Sequence, residues 1–181
     1  MPETKTSSRT DKKNQLLILL LLLISIAAIC VSVWALFFRV PDISLAPDYA
    51  PQEQEEHAET IPDDTGDKME APQGGGAVSL TYANQVSIDL NACTVSLLFA
   101  NPGKSNQDMV LQIVIQDQVI AQSGTISPGY RVMDLELLEG AAKMLSAGGY
   151  DGKFVVLYYN QETGEKAIIN TEIPIQITVT E

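Results

Sequence analysis

Histidine is nearly missing from this chain. His57 is the single one among 181 residues, and it falls in an acidic, proline-studded stretch. A serine or cysteine nucleophile normally needs an imidazole or an equivalent base, so the usual hydrolase arrangements are excluded. His57 itself reads as a solvated side chain, not a catalytic or metal-binding group. Cysteine is as scarce. Cys30 lies in an apolar run and Cys93 far downstream, so no disulfide framework forms. A structural zinc site takes four ligands, normally Cys or His, and the C-terminal part has one. Cys93, among Asn91, Ala92, Thr94 and Val95, reads as a buried, inert thiol on a strand.

Other chemistry is thin. Lys104 precedes Ser105, and Lys143 lies three residues before Ser146. Both are loose pairs of the kind chance supplies in a loop or a surface helix. Asn101, Ser105, Asn106 and Asp108 offer oxygens, but Lys104 sits among them and the spacing matches no calcium loop, so an ordinary turn is expected. Gly74-Gly75-Gly76 carries no lysine and is not a phosphate loop. No Asn-x-Ser/Thr acceptor is present. The chain reads as a non-enzyme with no cofactor and no metal.

Cations are also few, 11 Lys and Arg against 23 Asp and Glu. They concentrate at the amino end, as Lys5, Arg9, Lys12, Lys13 and Arg39. Residues 40–76 hold ten acidic side chains against Lys68 alone, and residues 77–181 are net acidic too. Without a basic patch, nucleic acid is excluded as a partner. The negative charge reads as a solubility device.

What the chain does have is an unbroken apolar run from Leu16 to Phe38, with Ser25 and Ser32 as its polar side chains. As a helix it spans roughly 35 Å, enough for the hydrocarbon core of a bilayer. Lipid forces such a run to satisfy its own backbone, hence a transmembrane helix over 16–38 in contact with membrane lipid. The amino-side cations keep tail 1–15 in the cytoplasm and send the rest outward, so the plasma membrane is the expected location. Trp34 suits the far interface, with Phe37 and Phe38 beside it. The alternative is a cleaved signal peptide and a secreted product. Against it, the run is too long for a signal core. Val33-Trp34-Ala35 lies inside the run, Pro47 follows Ser44-Leu45-Ala46, and Ile29 is too bulky before Cys30 for a lipobox.

Residues 39–76 read as a disordered acidic linker. Pro41, Pro47, Pro51, Pro62 and Pro72 interrupt regular structure, and apolar residues are too sparse to offset the ordering entropy. Such a tether reaches about 125 Å when stretched, with Gly74-Gly75-Gly76 as a swivel.

Residues 77–181 form one domain-sized block with β patterning throughout. Alternation marks Val78–Tyr82, Val86–Leu90, Tyr130–Leu138 (with a phase slip at Met133) and Ile173–Val179; Thr94–Ala100 and Val110–Ile115 are mostly apolar runs, and Val119–Ala121, Phe154–Tyr159 and Ala167–Ile169 are further short strands. Asn101-Pro102-Gly103, Ser127-Pro128-Gly129, Gly148-Gly149 and Thr163-Gly164 punctuate it. Glu139–Ala147 has the composition of one or two helical turns, and Pro174 marks an edge or a strand start. Seven to nine short strands predict an all-β, antiparallel sandwich.

Asn101-Pro102, Ser123-Gly124-x-Ile126-x-Pro128-Gly129, Leu138, Gly149-Tyr150 and Phe154-x-Val156 follow one another in an order that resembles the immunoglobulin-like β-sandwich of small bacterial surface and envelope proteins. The resemblance covers most of 95–160. It implies that these residues build turns and strands, and it assigns none of them to a site. The paired cysteines and buried tryptophan of antibody domains are absent.

Tyr158 and Tyr159 are neighbours on one strand and point to opposite faces. One belongs to the core. The other is a candidate partner anchor, together with Glu162 and Thr163 of the adjoining Asn160–Glu165 loop. The expected protein is therefore a single-pass membrane protein. Its exported β-sandwich serves as an interaction or scaffolding module for an envelope or membrane protein. As an alternative, Ser25, Ala27, Ala28 and Ser32 permit close helix packing and make the chain an accessory subunit of a membrane complex.

Overall fold

The computed structural model describes residues 14–15, 17–29, 47–51, 53–73 and 75–181. The chain divides into two compact units, Met1–Asp42 and Ile43–Glu181. In the first, residues 17–29 are α-helical (α1), and all of them are exposed. Seven leucines and isoleucines in a row, Leu17 to Leu23, already cover every side of this helix. The Ser25 hydroxyl donates to the Leu21 carbonyl at 2.9 Å, so its polarity is spent on its own backbone. Among the described residues no helix is long and apolar enough to cross a membrane. The remainder of the expected span, with Leu16, Cys30, Ser32, Trp34, Phe37 and Phe38, lies outside the described residues. So do Lys5, Arg9, Lys12, Lys13, Arg39 and Ser44-Leu45-Ala46.

The second unit is mostly β. Among the described residues its nine strands are β1 (Ala58–Thr60), β2 (Thr81–Tyr82), β3 (Gln85–Asp89), β4 (Thr94–Asn101), β5 (Gln107–Ile115), β6 (Gln118–Gln122), β7 (Tyr130–Glu136), β8 (Gly148–Asn160) and β9 (Lys166–Thr180). They form one sheet in the order β1-β7-β4-β3-β9-β8-β5-β6, with β2 also on β4. The sheet is mixed, not wholly antiparallel as expected: β3 runs parallel to β9, Gln85 opposite Gln176 through Asp89 opposite Thr180. Alternation reports which face a residue takes and is blind to the direction of the neighbouring strand.

The sheet curls until its ends meet. Ala121 of β6 bridges to Leu137 just past β7, and the Leu138 amide donates to the Ile120 carbonyl at 2.9 Å. The enclosed core holds Ile88, Val95, Phe99, Leu111, Ile113, Phe154, Val156, Ile175 and Ile177. Phe99 of β4 and Phe154 of β8 meet edge to face across it, with centroids 6.1 Å apart and planes at 74°.

Several details differ from the sequence reading. Ala167–Ile169 and Ile173–Val179 belong to one 15-residue strand, β9. Of Val78–Tyr82 only Thr81–Tyr82 pairs. The slip at Met133 is real, but the extra residue sits on β4: Leu97 and Leu98 together oppose Met133, between the Ser96–Asp134 and Phe99–Val132 pairs. Pro174 lies in the stretch of β9 before β3 joins at Gln176, where a missing donor is tolerated. The expected helical turns are a short 3-10 turn at Ala141–Met144.

Cys93 is corrected outright. It is exposed and takes a left-handed φ of 55° in the β3–β4 turn. There the Asp89 carboxylate accepts the amides of Asn91 at 2.9 Å and Ala92 at 3.0 Å. The turn geometry, not strand patterning, decides its environment.

The acidic linker differs most. Its described residues from Pro47 onward lie against the sheet and form a strap. β1 pairs with β7, Ala58 opposite Val132 and Thr60 opposite Tyr130, and Gln54 bridges in parallel to Thr125. The Ile61 amide reaches the Gly129 carbonyl at 2.8 Å and the Met69 amide reaches Lys104 at 2.8 Å. The swivel is occupied as well: a Cβ on Gly76 would run into the Gln107 side chain. Gly74 is outside the described residues. Apolar content within the segment is low, as the sequence says. The ordering comes from outside it, through unpaired sheet edges and a second apolar face.

Candidate interaction surface

That second face lies on the outer side of β5 and β8. Val110, Val114, Val155, Leu157 and Tyr159 form a cluster separate from the main core, with Ala50 of the strap and Val119 packed on it. Alternation explains it: Val110 and Leu157 face one way, Leu111 and Val156 the other. β5 and β8 are apolar on both faces and need cover on both. The strap supplies part of it.

The two tyrosines split across these faces as expected, but neither is exposed. Tyr158 joins the main core, and its hydroxyl donates to Thr171 Oγ1 at 2.7 Å. Tyr159 is fully buried, and its hydroxyl donates to the Pro47 carbonyl at 3.0 Å. Burial raises the pKa of both phenols. The Thr171 bond partly opposes this at Tyr158, whereas the Asp48 carboxylate adds to it at Tyr159. Sequence alone missed the cover on Tyr159, because the covering residues lie 112 positions upstream.

Glu162 and Thr163 are exposed on the β8–β9 turn. That turn is closed from within. Asn160 Oδ1 accepts the amides of Glu162 at 2.8 Å and Thr163 at 3.0 Å. Gly164 takes φ 71° and its amide reaches the Asn160 carbonyl at 2.8 Å. The strap docks beside it: Tyr49 bridges to Glu165, and the amides of Ala50 and Lys166 donate to Gly164 and Asp48 at 2.8 and 2.9 Å. Gln161 links strap to sheet, accepting from Lys68 Nζ at 3.0 Å and donating to Asp108 at 3.1 Å. So the structure gathers Glu162, Thr163 and the edge of Tyr159 at one end of the domain, with Tyr158 sealed inside.

At that end β9 carries a feature the sequence reading did not single out. Leu157 pairs with Asn170, and then Tyr159 pairs with Lys166. Ala167, Ile168 and Ile169 therefore oppose Tyr158 alone and bulge outward. Ile168 is fully exposed at 105% and Ile169 is 77% exposed. Two adjacent β-branched residues had read simply as strand.

The remaining candidates resolve into structure. Ser105 is buried, with its hydroxyl donating to the Ser79 carbonyl and accepting the Ser79 amide, both at 2.9 Å. The Ser146 carbonyl and amide close on the Tyr150 hydroxyl at 3.1 Å. Asn101 donates to the carbonyls of Gln107 at 3.0 Å and Ile126 at 2.9 Å, Asn106 accepts the Ala77 amide at 2.8 Å, and Asp108 accepts from Gln161. The Asn101 side-chain oxygen is buried with no hydrogen-bond partner among the described residues, and the other groups are engaged within the fold, not gathered around a common point. Among the described residues no group of three or more His, Cys, Asp or Glu side chains is placed to hold a metal ion. His57 is exposed in the turn before β1, its amide donating to Glu55 at 3.1 Å.

No family model matches the chain, and no curated protein matches it. Among solved structures it is similar to AggA, the major subunit of aggregative adherence fimbriae type I from Escherichia coli. The identity is 12%, the TM-score is 0.30, and the match covers 62% of this chain and all of that one.

Proposed function

We propose that this is a single-pass, membrane-anchored protein whose exported β-domain, an immunoglobulin-like sandwich, acts as a non-enzymatic interaction or scaffolding module of the cell envelope. The observation that carries the reading is α1. Residues 17–29 present leucine and isoleucine on all sides and leave them exposed. A helix apolar all round is stable only where lipid or protein surrounds it. Lys5, Arg9, Lys12 and Lys13 before it, against Arg39 alone just after the run, orient its amino end toward the cytoplasm.

The internal bond of Ser25 to Leu21 favours a plain anchor over an accessory subunit that recognises partners through its helix. Ser25, the polar side chain of residues 17–29, is already satisfied by its own backbone. In the domain, the closed Asn160–Glu165 turn and the strap give a preformed surface of the kind that binds with little ordering cost.

The test uses the full chain in its native host. After alkaline carbonate washing the protein stays in the membrane pellet, and external protease removes the domain while sparing the amino-terminal tail. A washed supernatant containing mature chain that begins past residue 38 overturns the anchor. Proximity labelling from the carboxyl end, at Glu181, then returns one dominant envelope neighbour. Labelling no stronger than that of an unrelated exported domain overturns the scaffold role.

A further inference from the structure

We propose that the Ile168–Ile169 bulge is a second membrane contact, seated on the same bilayer that the apolar run is read to span. The inference rests on that anchored reading and deepens it by assigning the domain a face toward lipid.

Three observations meet here. First, the bulge exposes two adjacent isoleucines, at 105% and 77%, on the stretch of β9 that precedes its pairing with β3 at Gln176. Exposed apolar residues on an open strand edge are a liability in water unless something covers them. Second, the strap meets the domain at this very place. The Lys166 amide donates to Asp48 at 2.9 Å, two residues from Ile168, a separation of about 7 Å along a strand. Tyr49, 61% exposed, pairs with Glu165 next to it. Third, the covalent distance is short. With Pro47 held by the Tyr159 hydroxyl, nine residue steps separate it from Phe38, at most about 32 Å fully extended. The tether read from sequence over residues 39–76 would have let the domain drift. With the strap docked, the chain from Phe38 to Pro47 is the whole tether, so this end can lie no farther than that length from the end of the run. The β3–β4 turn with Cys93 lies at the opposite end of β9, roughly 46 Å along that strand.

The chemistry of the contact is apolar. Asp48, Asp108, Glu162 and Glu165 outnumber Lys68 and Lys166 at this end, so anionic headgroups repel it and zwitterionic ones do not. Isoleucine and tyrosine side chains suit the boundary between headgroups and acyl chains. Lipid is favoured over a second copy because the chain itself delivers this end to the membrane.

Spin labels on the full-length protein in zwitterionic nanodiscs test it. All proteins carry Cys30→Ser. One keeps Cys93 as the labelled site, and two others carry Cys93→Ser with either Ile169→Cys or Leu23→Cys. Relaxation by dissolved oxygen and by a water-soluble nickel chelate reads depth. The expected result is lipid-like accessibility at 169 and water-like accessibility at 93. Adding Ile168→Ser raises nickel access at 169 several-fold. Replacing a third of the lipid by an anionic one raises it too. If 169 is as open to nickel as 93 while 23 stays in lipid, the bulge proposal falls and the anchor stands. If 23 is open to nickel, the anchored reading falls and takes the proposal with it. If 169 is shielded from both reagents and shows label-to-label coupling, a second copy covers the bulge and the lipid contact is overturned. A contact that strengthens with anionic lipid and fades with salt overturns its apolar character.

Discussion

The hydroxyl of Tyr159 donates to the carbonyl of Pro47, 112 residues earlier, at 3.0 Å. This single bond joins the outer apolar face of β8 to the beginning of the strap. Both act on stability through pH. Burial, and then the Asp48 carboxylate, hold the Tyr159 phenol above its ordinary value of 10.0. Burial does the same at Tyr158. A group whose pKa is raised by folding contributes stability that is complete below its unfolded pKa and lost as pH rises through the folded one. The domain is therefore expected to hold its stability to about pH 10 and to lose it above, strap first, because ionised Tyr159 faces both Asp48 and a carbonyl. Tyr159→Phe costs about 1 kcal/mol at neutral pH and leaves a smaller alkaline loss, the part due to Tyr158. Urea titrations at pH 7 and pH 11 check this. An alkaline limb unchanged by Tyr159→Phe refutes it.

Gly124 sets how closely the strap lies. A Cβ there would meet the Glu55 amide nitrogen and Cα at 3.0 Å and the Glu53 carbonyl at 3.1 Å, all backbone atoms that cannot rotate aside. The Gly124 amide also donates to the Glu55 carboxylate. Gly124→Ala is expected to lift residues 53–55 from the Gly124–Thr125 segment and weaken the backbone bonds from the Glu55 amide to the Thr125 carbonyl and from the Thr125 amide to the Glu53 carbonyl, at a cost on the order of 1–2 kcal/mol. Hydrogen exchange then speeds at Glu55 and Thr125, with the amides of β5 and β8 unchanged. Faster exchange throughout the sheet contradicts a strap that opens by itself.

The strands were legible because they are local. Val86, Ile88, Val95 and Phe99 alternate in sequence as they do in the fold, and Pro128-Gly129 turns where it should. Direction was not legible, since β3 and β9 lie about 90 residues apart and nothing in either marks a parallel pair. The strap was hidden for a related reason. Judged alone, residues 47–73 lack the apolar surface to fold, and the surface they use belongs to Val110, Leu157 and Tyr159. Tyr159 was recognised as a face-changing tyrosine, but its cover was invisible without the strap. Ile168 and Ile169 read only as strand, because a bulge opposite Tyr158 depends on pairing rather than on composition.

Phe99 and Phe154 tie the two halves of the curled sheet through their edge-to-face contact at 6.1 Å. Both are fully buried. Truncation removes transfer energy and leaves a cavity, so Phe154→Ala is expected to cost about 3–5 kcal/mol, a large share of the stability of a domain this size. Phe154→Leu keeps most of the volume and costs less. The double variant Phe99→Leu/Phe154→Leu loses less than the sum of the singles, the surplus being the ring–ring term of about 0.5–1.5 kcal/mol. Urea midpoints for the four proteins close the cycle. Strict additivity would mean that the rings contribute by area alone.

Cys93 invites the opposite change. It is exposed and sits at φ 55°, where a β-carbon crowds the backbone at a cost of about 1–2 kcal/mol. The Asp89 carboxylate holds the preceding amides of Asn91 and Ala92, so the turn persists whatever residue follows. Cys93→Gly removes the crowding but adds freedom to the unfolded chain worth roughly 0.5–1 kcal/mol. The expected net gain is about 0.5–1 kcal/mol. In a Cys30→Ser background the native thiol reacts with maleimide in the folded protein as fast as in denaturant, because no opening is needed to reach it. Slow labelling that tracks unfolding would place the sulfur inside the sheet and remove the basis for the stabilisation as well.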